Sequence, residues 1–232
     1  YFQGKKELFE GLAMEKLEKD WKEYPILHFD LNISQYDSPD SLYKILNDIL
    51  SRYEDEYGTR PSEVTLPLRF AGIIDRAYRK TGQRALIDEY DKPLLQNLHD
   101  EEMQNRLRNM LKPFYGVLKT MDRAIRFALL TGVTKFGKIS VFSDLNNLMD
   151  LSMDNRYVEI CGITEKEIHA YLEDEVKELA DTQMTTYEET CLKLKQRYDG
   201  YHFTAKSEGI YNPFSLLNTF AKMEFGDYWF ET

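Results

Sequence analysis

Three short apolar runs, separated by longer stretches with helical spacing, constrain the fold of this chain more than any other feature. The runs cover residues 26–31, 84–87 and 125–131. Apolar runs with little polar alternation are typical of strands buried on both faces of a parallel sheet. Strands that alternate with helices indicate an α/β domain. We therefore predict an α/β fold built on a parallel sheet.

The stretches between and before these runs predict the helices of the domain, because their apolar residues recur at helical spacing. These helices are predicted over residues 5–24, 39–56, 67–80 and 100–121. Ser38 and Pro39 favour a helix start at that point, since serine caps a helix and proline suits its first turn.

The pattern changes near residue 160 and becomes purely helical. The helices expected in this second part cover residues 164–180, 186–197 and 213–222. Tyr198–Tyr201 is interpreted as a helix end closed by a glycine turn. We therefore expect an α/β part over residues 1–160 and a small all-helical subdomain over residues 161–232.

Charge and composition narrow the classes of function. The formal net charge of −10 argues against a stand-alone nucleic-acid-binding protein, which would need a basic face. No apolar stretch is long enough to cross a membrane, and no signal-peptide pattern is present. Cys161 and Cys191 lack the neighbouring ligands of a zinc site, so we expect reduced thiols in a cytoplasmic protein without membrane contact.

Two adjacent acids, Asp88 and Glu89, follow the second apolar run directly. Open α/β folds bind ligands at the carboxyl edge of the sheet, where these acids are expected to lie. Because pleating turns successive side chains to opposite sides, the two carboxylates can take two roles. In a P-loop ATPase the aspartate would hold Mg²⁺ and the glutamate would orient and deprotonate the attacking water.

The third run ends at Thr131, a position that suits a polar residue sensing the γ-phosphate from the neighbouring strand. The simpler interpretation of the acidic pair is a strand that ends in a solvated turn, since four apolar residues followed by acids occur often by chance. The neighbouring polar strand end favours the ATPase interpretation.

A second nucleotide-binding signal, in residues 132–140, nearly fits the phosphate-binding loop pattern. However, Ile139 stands where a hydroxyl must reach Mg²⁺, and Ser140 comes one residue late. The residues that follow are β-like, whereas such a loop requires a helix amino terminus aimed at the phosphate. We therefore interpret this stretch as a surface loop, in which Lys135 and Lys138 could still face a phosphate or a partner.

Several separate motifs carry a resemblance to a known family. They are Leu86–Leu94, Leu130–Phe136, Phe142–Leu148, Tyr198–Tyr201 and Tyr211–Ser215. Together they resemble the AAA-ATPase-like family, in which a P-loop ATPase domain is found fused to a PD-(D/E)XK nuclease-superfamily domain. The resemblance extends over essentially the whole chain, although the run at 84–87 is shorter than the corresponding strand of the family.

The resemblance implies that this chain is an internal piece of a longer protein. It would hold strands two to four of a P-loop ATPase core, without the first strand and phosphate loop, and then a lid or winged-helix-like subdomain. ATP and Mg²⁺ would be the cofactors, with Asp88 binding both and Glu89 and Thr131 acting in catalysis. A nuclease-like domain beyond Thr232 would be the partner and the route to nucleic acid. Tyr1–Gly4 matches the end of a cleavable tag but also suits native sequence.

The favoured function is therefore an ATP- and Mg²⁺-dependent regulatory domain of a nuclease-associated protein. Without its phosphate loop, the isolated chain is expected to bind ATP weakly or not at all. The alternative is a non-catalytic scaffold or protein-interaction module, in which the acids are structural. A nuclease activity of the chain itself is disfavoured, because the sequence lacks an aspartate followed by an acid-x-lysine pair on adjoining strands.

Overall fold

The computed structural model describes residues 1–81, 85–88, 92–132, 148–151, 154–201 and 209–228. It divides into two compact units, Tyr1–Leu148 and Met149–Thr232. This division falls before the boundary that the sequence places near residue 160. Within the described residues, no helix has the length and apolar character needed to cross a membrane.

Unit one contains three strands and five α-helices in its described part. The strands are β1 (Ile26–His28), β2 (Ala85–Asp88) and β3 (Ile125–Ala128). The helices are α1 (Ala13–Leu17), α2 (Pro39–Tyr57), α3 (Leu66–Thr81), α4 (Lys92–Leu95) and α5 (Glu101–Thr120). The helices predicted over residues 39–56, 67–80 and 100–121 are confirmed almost to the residue.

The three strands form one sheet in the order β1-β2-β3, and both pairs are parallel. Ile26 is in register with Leu86, and Leu86 is in register with Phe127. The register shifts between Ala85 and Leu86, so β3 carries Arg126 as an extra residue, as in a β-bulge. The assignment of this sheet to a P-loop ATPase core stays a prediction.

Helix caps explain why the long helices begin where they do. The Ser38 hydroxyl accepts a hydrogen bond from the Ser41 amide at 3.2 Å, and the Ser41 hydroxyl accepts one from the Ser38 amide. Asp100 caps α5 in the same manner, accepting from the Met103 amide at 2.8 Å. Both caps satisfy amide groups that would otherwise lack partners in the first turn.

Three phenylalanine rings join β1 to α3 and α5 at the centre of the core. Phe29, Phe70 and Phe114 are all fully buried. The Phe70 and Phe114 rings stack with centroids 4.7 Å apart, and the Phe29 ring meets them edge-on at 4.9 and 5.5 Å. Because aromatic pairs add to the free energy of burial, this cluster fixes the first strand against two helices.

Two partly buried ion pairs further tie α3 to its surroundings. Arg69 binds Glu54 of α2 through two hydrogen bonds of 2.7 Å, and Arg76 binds Glu63 through both carboxylate oxygens. Gly72 lies between the two arginines in sequence, and a methyl group there would overlap the Glu63 carboxylate. A side chain at position 72 would therefore displace the Glu63 carboxylate from its ion pair with Arg76.

The prediction of one helix over residues 5–24 is wrong. The structure has a 3-10 turn at Lys6–Phe9 and the short helix α1, and Gly11 and Trp21 adopt positive φ angles of 79° and 42°. A left-handed conformation interrupts a right-handed helix, which explains the breaks. Leu8, Leu12 and Leu17 stay exposed, so the helical spacing has no buried face to stabilise it.

Unit two contains four helices and a strand pair in its described part. The helices are α6 (Glu165–Tyr171), α7 (Glu173–Gln183), α8 (Tyr187–Tyr198) and α9 (Pro213–Lys222). The strands β4 (Asp199–Tyr201) and β5 (Ile210–Tyr211) pair antiparallel.

The expectation of an all-helical second part therefore needs two corrections. Residues 199–201 form a strand, because their backbone pairs with β5 instead of closing α8 by a glycine turn. The helix predicted over 164–180 is two helices, because Leu172 departs from helical geometry with φ −126° and ψ 21°. The starts of α6 and α8 at Thr164 and Thr186 are both fixed by capping boxes.

We expect Phe114→Ala to lower the free energy of unfolding of unit one by about 3–5 kcal/mol, because it removes a fully buried ring and its contacts with both other phenylalanines. Chemical denaturation followed by circular dichroism measures this change. Tyr43→Ala is the control, since Tyr43 is a half-exposed aromatic residue on α2 and should cost less than about 1 kcal/mol. Equal losses in both variants would contradict the central role of the cluster.

Candidate functional site

The carboxyl ends of the three parallel strands meet at one edge of the sheet. His28, the last residue of β1, is in register with Asp88, the last residue of β2. Ile87 is in register with Ala128, the last residue of β3. The structure therefore brings the Asp88 backbone to the edge where α/β sheets bind ligands.

Thr131 lies three residues beyond the end of β3 and is half-buried. Leu130 before it packs against the core, whereas Leu129 is 39% exposed, so alternation between the two faces continues past the strand. Thr131 thus lies in the segment that leaves the neighbouring strand at the same sheet edge as Asp88. Glu89 lies outside the described residues, as do Lys135, Lys138 and the rest of the loop at 133–147.

His28 is a residue of this edge that the sequence interpretation missed. Its side chain is exposed, whereas Leu27 and Phe29 on either side are fully buried. No hydrogen bond, ion pair or ring contact joins its imidazole to another residue in the described part of the chain. The available signal was a single histidine near the end of an otherwise apolar run, two residues before Asp30.

The Tyr53 hydroxyl closes the outer edge of β1 beside His28. It accepts a hydrogen bond from the His28 amide at 2.7 Å and donates one to the His28 carbonyl at 3.1 Å. Burial raises the pKa of this phenol, so it keeps its proton through neutral pH. One hydroxyl therefore satisfies both outward backbone groups of His28 and fixes that residue in place.

The loop after β1 is bound to the segment that follows β2. The Gln96 side-chain carbonyl accepts from the Tyr36 amide, and the Asn97 side-chain amide donates to the Tyr36 carbonyl, each at 2.8 Å. The Tyr36 hydroxyl donates to the Leu31 carbonyl at 2.8 Å, and burial, with a smaller effect of the Asp30 charge, raises its pKa to about 12. These bonds hold the two loops at the carboxyl edge together.

Asp30 is a second aspartate near this edge, two residues after the end of β1. It is half-buried, and its Oδ1 accepts a hydrogen bond from the Asn32 amide at 2.8 Å. This is a local turn stabilised by the side chain, as aspartate commonly provides. Asp30 therefore has a structural role in the loop, and we assign it no ligand.

A hydrated Mg²⁺ shared with phosphates needs fewer protein ligands than a metal held by protein alone. The described residues contain no group of three or more His, Cys, Asp or Glu side chains placed to hold a metal ion. Mg²⁺ usually keeps several waters and takes only one or two carboxylates together with substrate phosphates. A single aspartate at position 88 fits that requirement.

Within the described residues, one face of the sheet leaves an aromatic side chain of β3 partly exposed. Ile26 and Phe127 share the register level of Leu86, and Phe127 is 43% exposed. Phe2 stacks on Phe127 with ring centroids 5.8 Å apart.

A parallel sheet packed against helices defines an α/β domain, and domains of this class commonly bind ligands at the carboxyl edge of the sheet. The chain belongs to the AAA-ATPase-like family, whose model is described as a predicted AAA-ATPase and matches residues 1–142. Tyr1–Gly4 lies within that match.

One relative is similar to the chain over its whole length. It is named "Uncharacterized protein in vnfD 5'region" and comes from Azotobacter chroococcum mcd 1. The two sequences are 36% identical over 234 residues, which cover 100% of this chain and 43% of the relative. The chain thus spans less than half the length of this relative. No solved structure matches the chain.

We expect Tyr53→Phe to lower the free energy of unfolding of unit one by about 1–2 kcal/mol, because two backbone groups of β1 lose their hydrogen-bond partner. Hydrogen exchange of the His28 amide should also become faster. Tyr57→Phe is the matched control, since Tyr57 is a half-buried tyrosine one helical turn further along α2. An unchanged exchange rate at His28 in the Tyr53 variant would contradict this assignment.

Proposed function

We propose that this chain is the Walker B and sensor part of an ATPase-like regulatory domain that uses ATP and Mg²⁺. The observation that carries the proposal is that the strand ending in Asp88 and the strand that ends three residues before Thr131 meet at one edge of a parallel sheet, within the part of the chain that matches the family. Phosphoryl transfer depends mainly on positioning and on electrostatic stabilisation, and an edge of this type can provide both.

Each predicted residue would have one role at this edge. Asp88 would hold Mg²⁺ and, through it, the nucleotide phosphates. Glu89 would orient the attacking water and accept its proton, and Thr131 would hydrogen bond the γ-phosphate from the neighbouring strand. Bound Mg²⁺ would neutralise charge that develops on the phosphates.

The difference between the two edge strands of the sheet supports the proposal that a further strand pairs with β3. The Tyr53 hydroxyl occupies the outer backbone groups of His28 at the β1 edge. Within the described residues, β3 pairs on one side only, with β2. A further parallel strand would therefore add beside β3, and its carboxyl end would carry the phosphate loop to the edge that holds Asp88 and Thr131.

The role of the whole protein is part of the same proposal. Because the chain spans 43% of its relative, further domains are expected in proteins of this type. We propose that the ATPase-like domain controls an attached nuclease-like domain beyond the carboxyl end of this chain, which contacts nucleic acid, and that the protein acts in the cytoplasm. A non-catalytic scaffold is the competing function, and nucleotide binding separates the two.

We expect the complete gene product to bind ATP in the presence of Mg²⁺ and the isolated chain to bind it weakly or not at all. Isothermal titration calorimetry measures both. Asp88→Asn in the complete product should weaken Mg²⁺-dependent binding at least tenfold, because the metal loses its carboxylate ligand. Micromolar binding by the isolated chain would overturn the expectation that its phosphate loop is missing.

Lys138→Ala in the complete product is the control for the loop at 132–140. We expect nucleotide binding to be unchanged, because that loop is interpreted as a surface feature. If Lys138→Ala abolished binding by the isolated chain, residues 132–140 would have to be reassigned as the phosphate loop. If the complete product failed to bind ATP under any condition, the scaffold function would replace the ATPase.

A further inference from the structure

The exposed histidine at the end of β1 has no assigned role, although it lies beside the proposed metal ligand. His28 and Asp88 are register partners on neighbouring parallel strands. The spacing of such strands places their backbones only about 4.8 Å apart. Any ligand held at the carboxyl end of β2 is therefore within the reach of a side chain at His28.

The backbone of His28 is held on both sides. Strand pairing with β2 fixes one side, and the Tyr53 hydroxyl fixes the other through its two hydrogen bonds. Such double fixation allows the imidazole to be presented in a reproducible direction, as binding sites require. The side chain itself stays exposed and makes no described contact, so it is available to a ligand.

Structural requirements do not explain a histidine at this position. Leu27 and Phe29 supply the buried contacts of β1, and an exposed strand position beside them accepts most residues. Imidazole is instead a good partner for the water molecules that a bound Mg²⁺ retains, because its neutral ring nitrogen accepts a hydrogen bond from such a water.

We propose that His28 is a further binding residue of the site at Asp88, where its imidazole accepts a hydrogen bond from a water of the hydrated metal ion. This inference rests on the proposed function, since it requires a metal ion at Asp88. In this proposal Asp88 binds the metal ion directly, and His28 contacts it only through a bound water molecule. Residues in such outer positions typically change metal affinity by ten- to a hundredfold.

The test is the affinity of Mn²⁺, as the probe metal, for the complete gene product saturated with a non-hydrolysable ATP analogue. Electron paramagnetic resonance of free Mn²⁺ gives this affinity without any enzymatic turnover. We expect His28→Ala to weaken Mn²⁺ binding about tenfold. His28→Gln should restore most of the affinity, because its side-chain oxygen can accept the same hydrogen bond. The control, His99→Ala, removes an exposed histidine between α4 and α5 and should leave the affinity unchanged.

Asp88→Asn separates this inference from the proposed function. If Asp88→Asn weakens Mn²⁺ binding but His28→Ala does not, the role of His28 is overturned and the metal site at Asp88 stands. If neither variant changes the affinity, both are overturned. Because the imidazole is exposed, the denaturation midpoint of His28→Ala should match that of the unmodified protein; a lower midpoint with no recovery of Mn²⁺ affinity in His28→Gln would make His28 a structural residue.

Discussion

The burial of Phe29 between Phe70 and Phe114 is the contact on which the rest of unit one depends. Phe29 directly follows β1, so this contact joins the end of the first strand to α3 and α5, and Leu27 within the strand is equally buried. Because strand residues alternate between the two faces of a sheet, burying residues 27 and 29 forces residue 28 to the other face. The same packing that stabilises the core therefore exposes His28.

Strand register then carries this constraint across the sheet. β1 fixes the position of β2 through parallel pairing, and β2 fixes β3 in turn. The bulge at Arg126 brings Phe127 level with Leu86 and Ile26, away from the buried face. As a result, the orientation of β1 in the core decides which residues reach the carboxyl edge.

Much of unit one could be predicted from the sequence, because its long helices have strong local signals. The helix that starts at Ser38 has a cap, a proline and a buried face, and all three agree with the structure. Residues 5–24 have apolar residues at helical spacing, but no neighbouring element in the described part of the chain buries them. Gly11 also adopts a left-handed conformation. Helical spacing of apolar residues gives a stable helix only when tertiary packing buries those residues. Likewise, the pairing of residues 199–201 with β5 depends on a partner strand that local sequence does not specify.

The site shows the same difference between local and non-local information. Asp88 and Thr131 could be proposed from the sequence because Asp88 follows an apolar run and Thr131 ends one, and both runs predict strands. His28 could not, because its importance depends on register with Asp88, sixty residues later, and on the hydroxyl of Tyr53 on a different element. Neither relation has a sequence signal. In a parallel sheet, neighbouring strands are separated in sequence by long connections, so the residues of one site are far apart in the chain. The pattern of a single strand therefore indicates one residue of the site and not its neighbours. The register between strands then identifies the neighbours that those patterns leave out.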